Sequence, residues 1–570
     1  VRTGLVAAGV LVATAAGVQG QRAYAVAQRT TACERSAQEL DAVWSPERRQ
    51  ALREALVATG QGHAEATAER LLPWLDRQAT AWQHARVEAC LDARVRGTVD
   101  DEQLERAQWC LDERRMELAA LVDQLLQADA TMLLQAVPAA ASLRAVDACR
   151  DARVLQTLPV PQHEDREAIA ALRASVLRTG LLRRTGRPEA GVPRAREELE
   201  QAEARGWPPL TAAARVELGV LLEQTGAYAE AEAVLEEAYF EATRAAVPEI
   251  AVDAATWLVF VVGNHQARHA EAQRWGRYAQ TGLTSVRDGA ALARARLGTM
   301  LAVVHRATGA YDEARAELER ALVITEEALG SEHPSVAKIL LDLALTHRAM
   351  GAYDQAQALL ERALAIDEQT LGPQHPTVAA ALANLANVHL MQGDLDQARA
   401  LDERALAIDE QTLGPEHPTV AKDLNNLANA RRHAGDLEPA ALLYERAIAI
   451  AERTLGPEHP TVAGFLGNLA ATRSRMGAYD QALSLYRRAL AIHEQALGPD
   501  HPSVAADLVN LGTIHQISGA HAEAMASYER ALAIQEAALG PDHPDLAAPL
   551  VNRGDLHRMQ GALDRAWSAY

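Results

Sequence analysis

The sequence predicts an all-α chain, most of it a solenoid of stacked helix hairpins. Three observations carry this. A His-Pro pair begins at His333, His375, His417, His459, His501 and His543, at an interval of 42 residues. A glycine keeps the same interval from Gly309 through Gly351, Gly393, Gly435, Gly477 and Gly519 to Gly561. Between these marks the apolar residues follow 3–4 spacing. A fixed period over this length means repeated supersecondary units, each burying its apolar face against the next.

The unit from His417 to Glu458 justifies each element in turn. Val420, Leu424, Leu427, Ala428 and Arg431 share one face of a first helix, and Leu437, Ala440, Ala441, Tyr444, Ala447 and Ile448 share one face of a second. Gly435 stands between them, where a sharp turn takes φ > 0. Leu455-Gly456-Pro457 stops the second helix. Pro460 suits the first turn of the next helix, where a missing N–H costs nothing, and Thr461 or a neighbour caps it.

The small and large positions Leu424, Leu427-Ala428, Gly435, Ala440, Tyr444 and Ala447 resemble the tetratricopeptide repeat. The LGPxHP linker and the 42-residue length are similar to the kinesin-light-chain variety, over residues 291–570. The resemblance implies a right-handed α-solenoid whose first helices line a concave groove for a protein or peptide ligand. Residues 161–290 read as divergent units, with turns at Gly186, Gly226 and near Ala267. Roughly ten units result. The last breaks off at Tyr570 inside its second helix without a polar cap, so the expectation is a truncated chain or an end covered by something else.

Residues 1–22 read as a hydrophobic membrane segment. Gly4 to Val18 carry no charge, and only Thr14 is polar. That length falls between a signal-peptide core and a full span. The reading is a single-pass anchor with everything after Arg22 extracytoplasmic. The alternatives are a buried soluble helix, or cleavage near Ala23-Tyr24-Ala25 or Ala25-Val26-Ala27 with release to the periplasm.

Residues 23–160 read as a separate helical domain, holding all four cysteines and Trp44, Trp74, Trp82 and Trp109. An even number of cysteines after a hydrophobic segment points to disulfides. Cys90 and Cys110 flank a helix–turn–helix broken near Arg96-Gly97-Thr98, which favours that pair, with Cys33–Cys149 as the second. The alternative is four buried thiols. Metal binding fits less well, because no CxxC spacing is present.

The order of hydrophobic span, cysteine-bearing helices (VEACLDARVRG, QWCLDERRMELAALVDQL) and repeats resembles the extracytoplasmic half of myxobacterial-type transmembrane serine/threonine protein kinases. That family places a kinase domain before the span. This chain has no glycine-rich loop, HRD or DFG, so no kinase role passes to any residue here. A catalytic domain upstream of Val1 is the rival reading.

The formal net charge of −20 opposes nucleic-acid binding. No GxGxxG, GxxxxGK[ST] or HExxH occurs, and no enzymatic activity, cofactor or metal is expected. The His-Pro histidines lie one repeat apart and cannot meet at one ion, so they read as structural. A second column, His305, His347, His389, Arg431, Arg473, His515 and His557, reads as half-buried and amphipathic. Ser335-Val-Ala-Lys338 matches SxxK only because the linker repeats itself. His265 and His269 have i, i+4 spacing but no third ligand.

The candidate ligand grip is a column of Asn384, Asn426, Asn468, Asn510 and Asn552, with Asn387 and Asn429 three residues on from the first two. Asparagine is a mediocre helix former, so its repetition needs a cause. The resemblance implies that these amides line the groove and hold a peptide main chain, for which donor and acceptor are both needed. The alternative is that they bond neighbouring helices. Lys338 and Lys422, four residues before column positions Asp342 and Asn426, are expected to attract an acidic peptide or a C-terminal carboxylate.

Overall fold

The computed structural model describes residues 21–569, apart from 63, 157, 163, 185–187, 287–289 and 541–545. The described residues contain helices and no strands. The segment Gly4–Val18, the turn at Gly186 and the pair starting at His543 lie outside the described residues. None of the described helices is long and apolar enough to cross a membrane. The chain divides into two compact units, residues 1–266 with 271–297, and residues 267–270 with 298–570.

In the second unit the expected hairpins recur. The helix Pro418–Ala434 packs antiparallel to Leu437–Leu455, which packs in turn on Pro460–Arg475. The expected core of this repeat is buried: Val420, Leu424, Ala428, Ala440, Tyr444 and Ala447 are all fully enclosed. Gly435 takes φ 93°, and its N–H and that of Asp436 cap the last carbonyls of the first helix. In the first unit Gly226 does the same at φ 82°. At Ala267, within the second unit, an alanine is held at φ 55° where the regular repeats have glycine.

The His-Pro histidines are helix N-caps. The Nδ1 atoms of His333, His375, His417, His459 and His501 each accept from the backbone N–H two residues on, at 3.1–3.2 Å. Thr461 is therefore the donor and His459 the cap. The acceptor must be the unprotonated Nδ1, so each cap needs a neutral imidazole. Burial holds the His417 and His501 imidazoles below their usual pKa, with Lys422 and His493 adding to the effect respectively.

Two charge ladders tie consecutive repeats. Arg362, Arg404, Arg446, Arg488 and Arg530 each pair with a glutamate 36 residues earlier, on the preceding second helix. The half-buried second histidine column forms the other: its members Arg431 and Arg473 pair with Glu403 and Glu445. Such exposed pairs contribute at most about 1 kcal/mol each.

The first unit joins Cys33 to Cys90 and Cys110 to Cys149, with Cα separations of 5.4 and 5.5 Å. This corrects the expected pairing of Cys90 with Cys110 and Cys33 with Cys149. The reason is height. Cys90 ends the helix Ala64–Leu91, close to the turn at Gly97, whereas Cys110 lies well inside Asp101–Leu125. At 1.5 Å rise the two stand roughly 9 Å apart along the hairpin, beyond disulfide reach. Behind Cys110 the Arg173 guanidinium lies between Trp109 and Trp207 and pairs with buried Glu113.

Two tests follow from this architecture. Non-reducing peptide mapping will recover Cys33 linked to Cys90 and Cys110 to Cys149, each bridge contributing about 4 kcal/mol on the chain-entropy account. Recovery of a Cys90–Cys110 peptide contradicts the structure. His417→Ala with His459→Ala will cost about 1 kcal/mol per cap at pH 8, read by urea unfolding. The depressed imidazole pKa of His417 sets the sign of the pH dependence. Its contribution is complete above the ordinary histidine value and is lost as pH falls through the folded value. The difference between wild type and variant therefore shrinks towards pH 5; a constant difference contradicts the neutral-cap assignment.

Candidate peptide-binding face

The first helices of the second unit differ in charge from the second helices. Across Pro334–Ala349, Pro376–Gln392 and Pro460–Arg475 the only carboxylate is Asp342. Pro418–Ala434 and Pro502–Ile517 add Asp423 and Asp507, both buried. The second helix Tyr311–Leu329 alone carries Asp312, Glu313, Glu317, Glu319, Glu326 and Glu327. The first helices also carry the chain's only two lysines, Lys338 and Lys422, at equivalent positions two repeats apart. Both are exposed, and neither forms an ion pair among the described residues. Arg348 and Arg432 lie half-buried on the same helices. Burial, with Arg306 close by, lowers the Arg348 pKa. Burial raises the Asp342 carboxyl, opposed by Arg306 and Lys338. In a chain of net charge −20 these helices form a cationic exception.

The asparagine column does not behave as one set. Asn384 and Asn387 donate to the carbonyls of Ala380 and Ala383, one turn back, at 2.9 and 3.0 Å. Such bonds need no neighbouring helix. Asn429 Oδ1 accepts from the Tyr444 hydroxyl at 2.6 Å, tying the two helices of its own repeat. Asn468 Nδ2 donates to Asn425 Oδ1 of the preceding repeat at 2.9 Å. Asn426, Asn510 and Asn552 have no hydrogen-bond partner among the described residues, and Asn510 is exposed. Asn429 thus holds its own hairpin and Asn468 joins successive repeats, while Asn426, Asn510 and Asn552 keep amides without a partner among the described residues. Sequence reading missed Asn425, one residue off the column. Its signal was the Asn425-Asn426 doublet.

Beneath this face, one interface position changes chemistry from repeat to repeat. His493 Nδ1 lies 2.6 Å from Asp507 Oδ2, both buried. Two repeats earlier the same position pairs Asp409 with Asp423, also buried. Asp402, at the position occupied by Tyr444, Tyr486 and Tyr528 in later repeats, is buried with Oδ1 unpartnered. Burial pushes Asp402 up to about 8, with Asp423 adding to it. Burial likewise raises both members of the Asp409–Asp423 pair. In the first unit His265 Nε2 lies 2.9 Å from Glu223 Oε1, and its ring stacks on Tyr228.

Tetratricopeptide-repeat family models match residues 292–369, 343–411, 377–453, 461–537 and 508–570, and a further one matches 189–247. This chain carries tetratricopeptide repeats. A point variant of the Podosopora anserina "putative kinesin light chain nearly identical TPR-like repeats" is 32% identical over 36% of this chain and 97% of its own, with a TM-score of 0.31. BtubC (BKLC) from P. vanneervenii is 26% identical over 42% and 93%, with a TM-score of 0.33. A Rap protein complexed with competence and sporulation factor is 14% identical over 63% and 95%, with a TM-score of 0.43. No curated protein matches the chain. Tetratricopeptide repeats are typically non-catalytic interaction scaffolds.

The buried acids yield a test with a definite sign. A raised carboxyl contributes stability that is complete below the ordinary carboxylate pKa and is lost as pH rises through the folded value. Asp402→Asn cannot ionise, so it will stabilise the repeats relative to wild type between pH 7 and 9, and least at pH 5. Thermal unfolding across that range measures it; a variant less stable than wild type at pH 9 contradicts the assignment.

Proposed function

We propose that the chain is a protein-interaction scaffold that grips an extended acidic peptide on the first-helix face of residues 298–570. The observation that carries this is the placement of the only two lysines on that face, exposed and unpaired among the described residues, with Lys422 one helical turn from the free amide of Asn426. Carboxylates meet the lysines, and main-chain groups meet the amides. Adjacent first helices touch through Asn425 and Asn468. At 8–10 Å per helix pair, Lys338 and Lys422 stand roughly 20 Å apart, about six residues of extended chain. The partner therefore carries two acidic groups about that far apart.

We place this scaffold outside the cytoplasm, held by the segment Gly4–Val18 and forming the sensor region of a receptor of the transmembrane-kinase kind. The two disulfides support an oxidising compartment. Release to the periplasm accounts for them equally well.

Fluorescence anisotropy with a labelled peptide bearing two glutamates six residues apart tests the grip. Lys338→Ala with Lys422→Ala will weaken binding about tenfold or more at low salt, and less at high salt. Asn426→Ala with Asn510→Ala will weaken it about tenfold with the melting temperature unchanged. Asn468→Ala, which strands Asn425, will lower the melting temperature instead. Unchanged affinity in both double variants refutes the reading.

A further inference from the structure

Independently of that face, the first unit contains a second site. In the regular repeats the second helices run 18 or 19 residues. In the divergent units Tyr228–Arg244 has 17 and His269–Leu283 has 15. Where they stop short, an open cleft of about 1120 Å³ remains between their C-terminal ends. Its floor is small and apolar, from Ala242, Ala251 and Val252.

The walls have a consistent chemistry. Tyr239 and Tyr278 stack at 5.9 Å, backed by Trp275 at 5.3 Å from Tyr239, and Tyr278 remains 50% exposed. Aromatics are only 4% of the chain, so this grouping is concentrated. Thr243, Thr281 and Thr284 spend their hydroxyl protons on the carbonyls of Tyr239, Arg277 and Thr281. Their oxygens are left as acceptors. Among the described lining residues the one cation is Arg153, whose Nε and Nη2 bond Asp151, leaving Nη1. Among the described lining residues there is no carboxylate and no amide side chain, the Asp151 carboxylate lying behind Arg153.

A ligand for this cleft needs a flat C–H face for Tyr278, several O–H donors for the threonine rim and one anionic group for Arg153. A peptide main chain, by contrast, is served by amides such as those on the first-helix face. We propose that the cleft binds a saccharide carrying a carboxylate, of the uronic-acid class.

Isothermal titration of the full chain with a galacturonic-acid trisaccharide, a neutral galactose trisaccharide and a mixed tripeptide pool tests this. The acidic saccharide will bind, and the neutral one about tenfold more weakly. Tyr278→Ala will weaken both saccharides about tenfold, and Arg153→Gln will remove the preference for the acidic one. Tyr278 and Arg153 are both exposed, and the melting temperature checks that each variant is folded. Thr281→Val supplies a second readout, weakening both saccharides by removing an acceptor. Binding of neither saccharide to folded wild type, binding indifferent to Tyr278→Ala, or binding by the tripeptides alone overturns the proposal.

Discussion

Helix-to-helix distance in the repeats is set by alanine. Ala314, Ala356, Ala398, Ala440, Ala482 and Ala524 occupy one position of successive second helices, all fully buried. Ala321, Ala363, Ala405, Ala447, Ala489 and Ala531 occupy another, at 0–1% exposure. A side chain of this size lets each second helix meet both its own first helix and the next one, so that one close-packed layer becomes a continuous core. Everything else in the repeats presupposes that spacing. The histidine caps start each first helix at the right height, one arginine–glutamate ladder runs between second helices, and the other joins second helices to the following first helices. The asparagine contact of Asn425 with Asn468 requires neighbouring first helices to touch.

Close packing of this kind leaves the two helix sets with separate tasks. The second helices carry the acids and spend many of them on inter-repeat arginines. The first helices are nearly free of exposed carboxylate and keep their two lysines unpaired. Two of the acids that do enter the first helices, Asp423 and Asp507, are buried against the preceding second helix. Their partners are Asp409 in one junction and His493 in the other, so near-identical repeats meet through chemically distinct contacts.

Most of the fold was legible because its signals are local and periodic. The 42-residue interval, the turn glycines and the 3–4 spacing located the helices of the repeats, and even the glycine-less turn at Ala267 was found from spacing. The cap was left open between Thr461 and its neighbours, because Thr461 and its equivalents are the usual capping type and sit two residues from a histidine that does the work through Nδ1. The disulfide pairing failed because adjacency across a turn says nothing of height along the helices. The asparagine column was visible, but hydrogen-bond direction was not: Asn426 and Asn468 look alike in sequence, and only one of them has a partner. Asp402 could have been noticed by aligning the repeats, where it stands in for tyrosine.

The central functional claim is that the partner lies along first helices and not along second ones. Site-specific photocrosslinking measures this most directly. A photoreactive side chain at position 422, on the first helix Pro418–Ala434, is compared with one at position 446, on the second helix Leu437–Leu455. The account predicts that an acidic peptide partner crosslinks at 422 and not at 446. Crosslinking at 446 with none at 422 would contradict it.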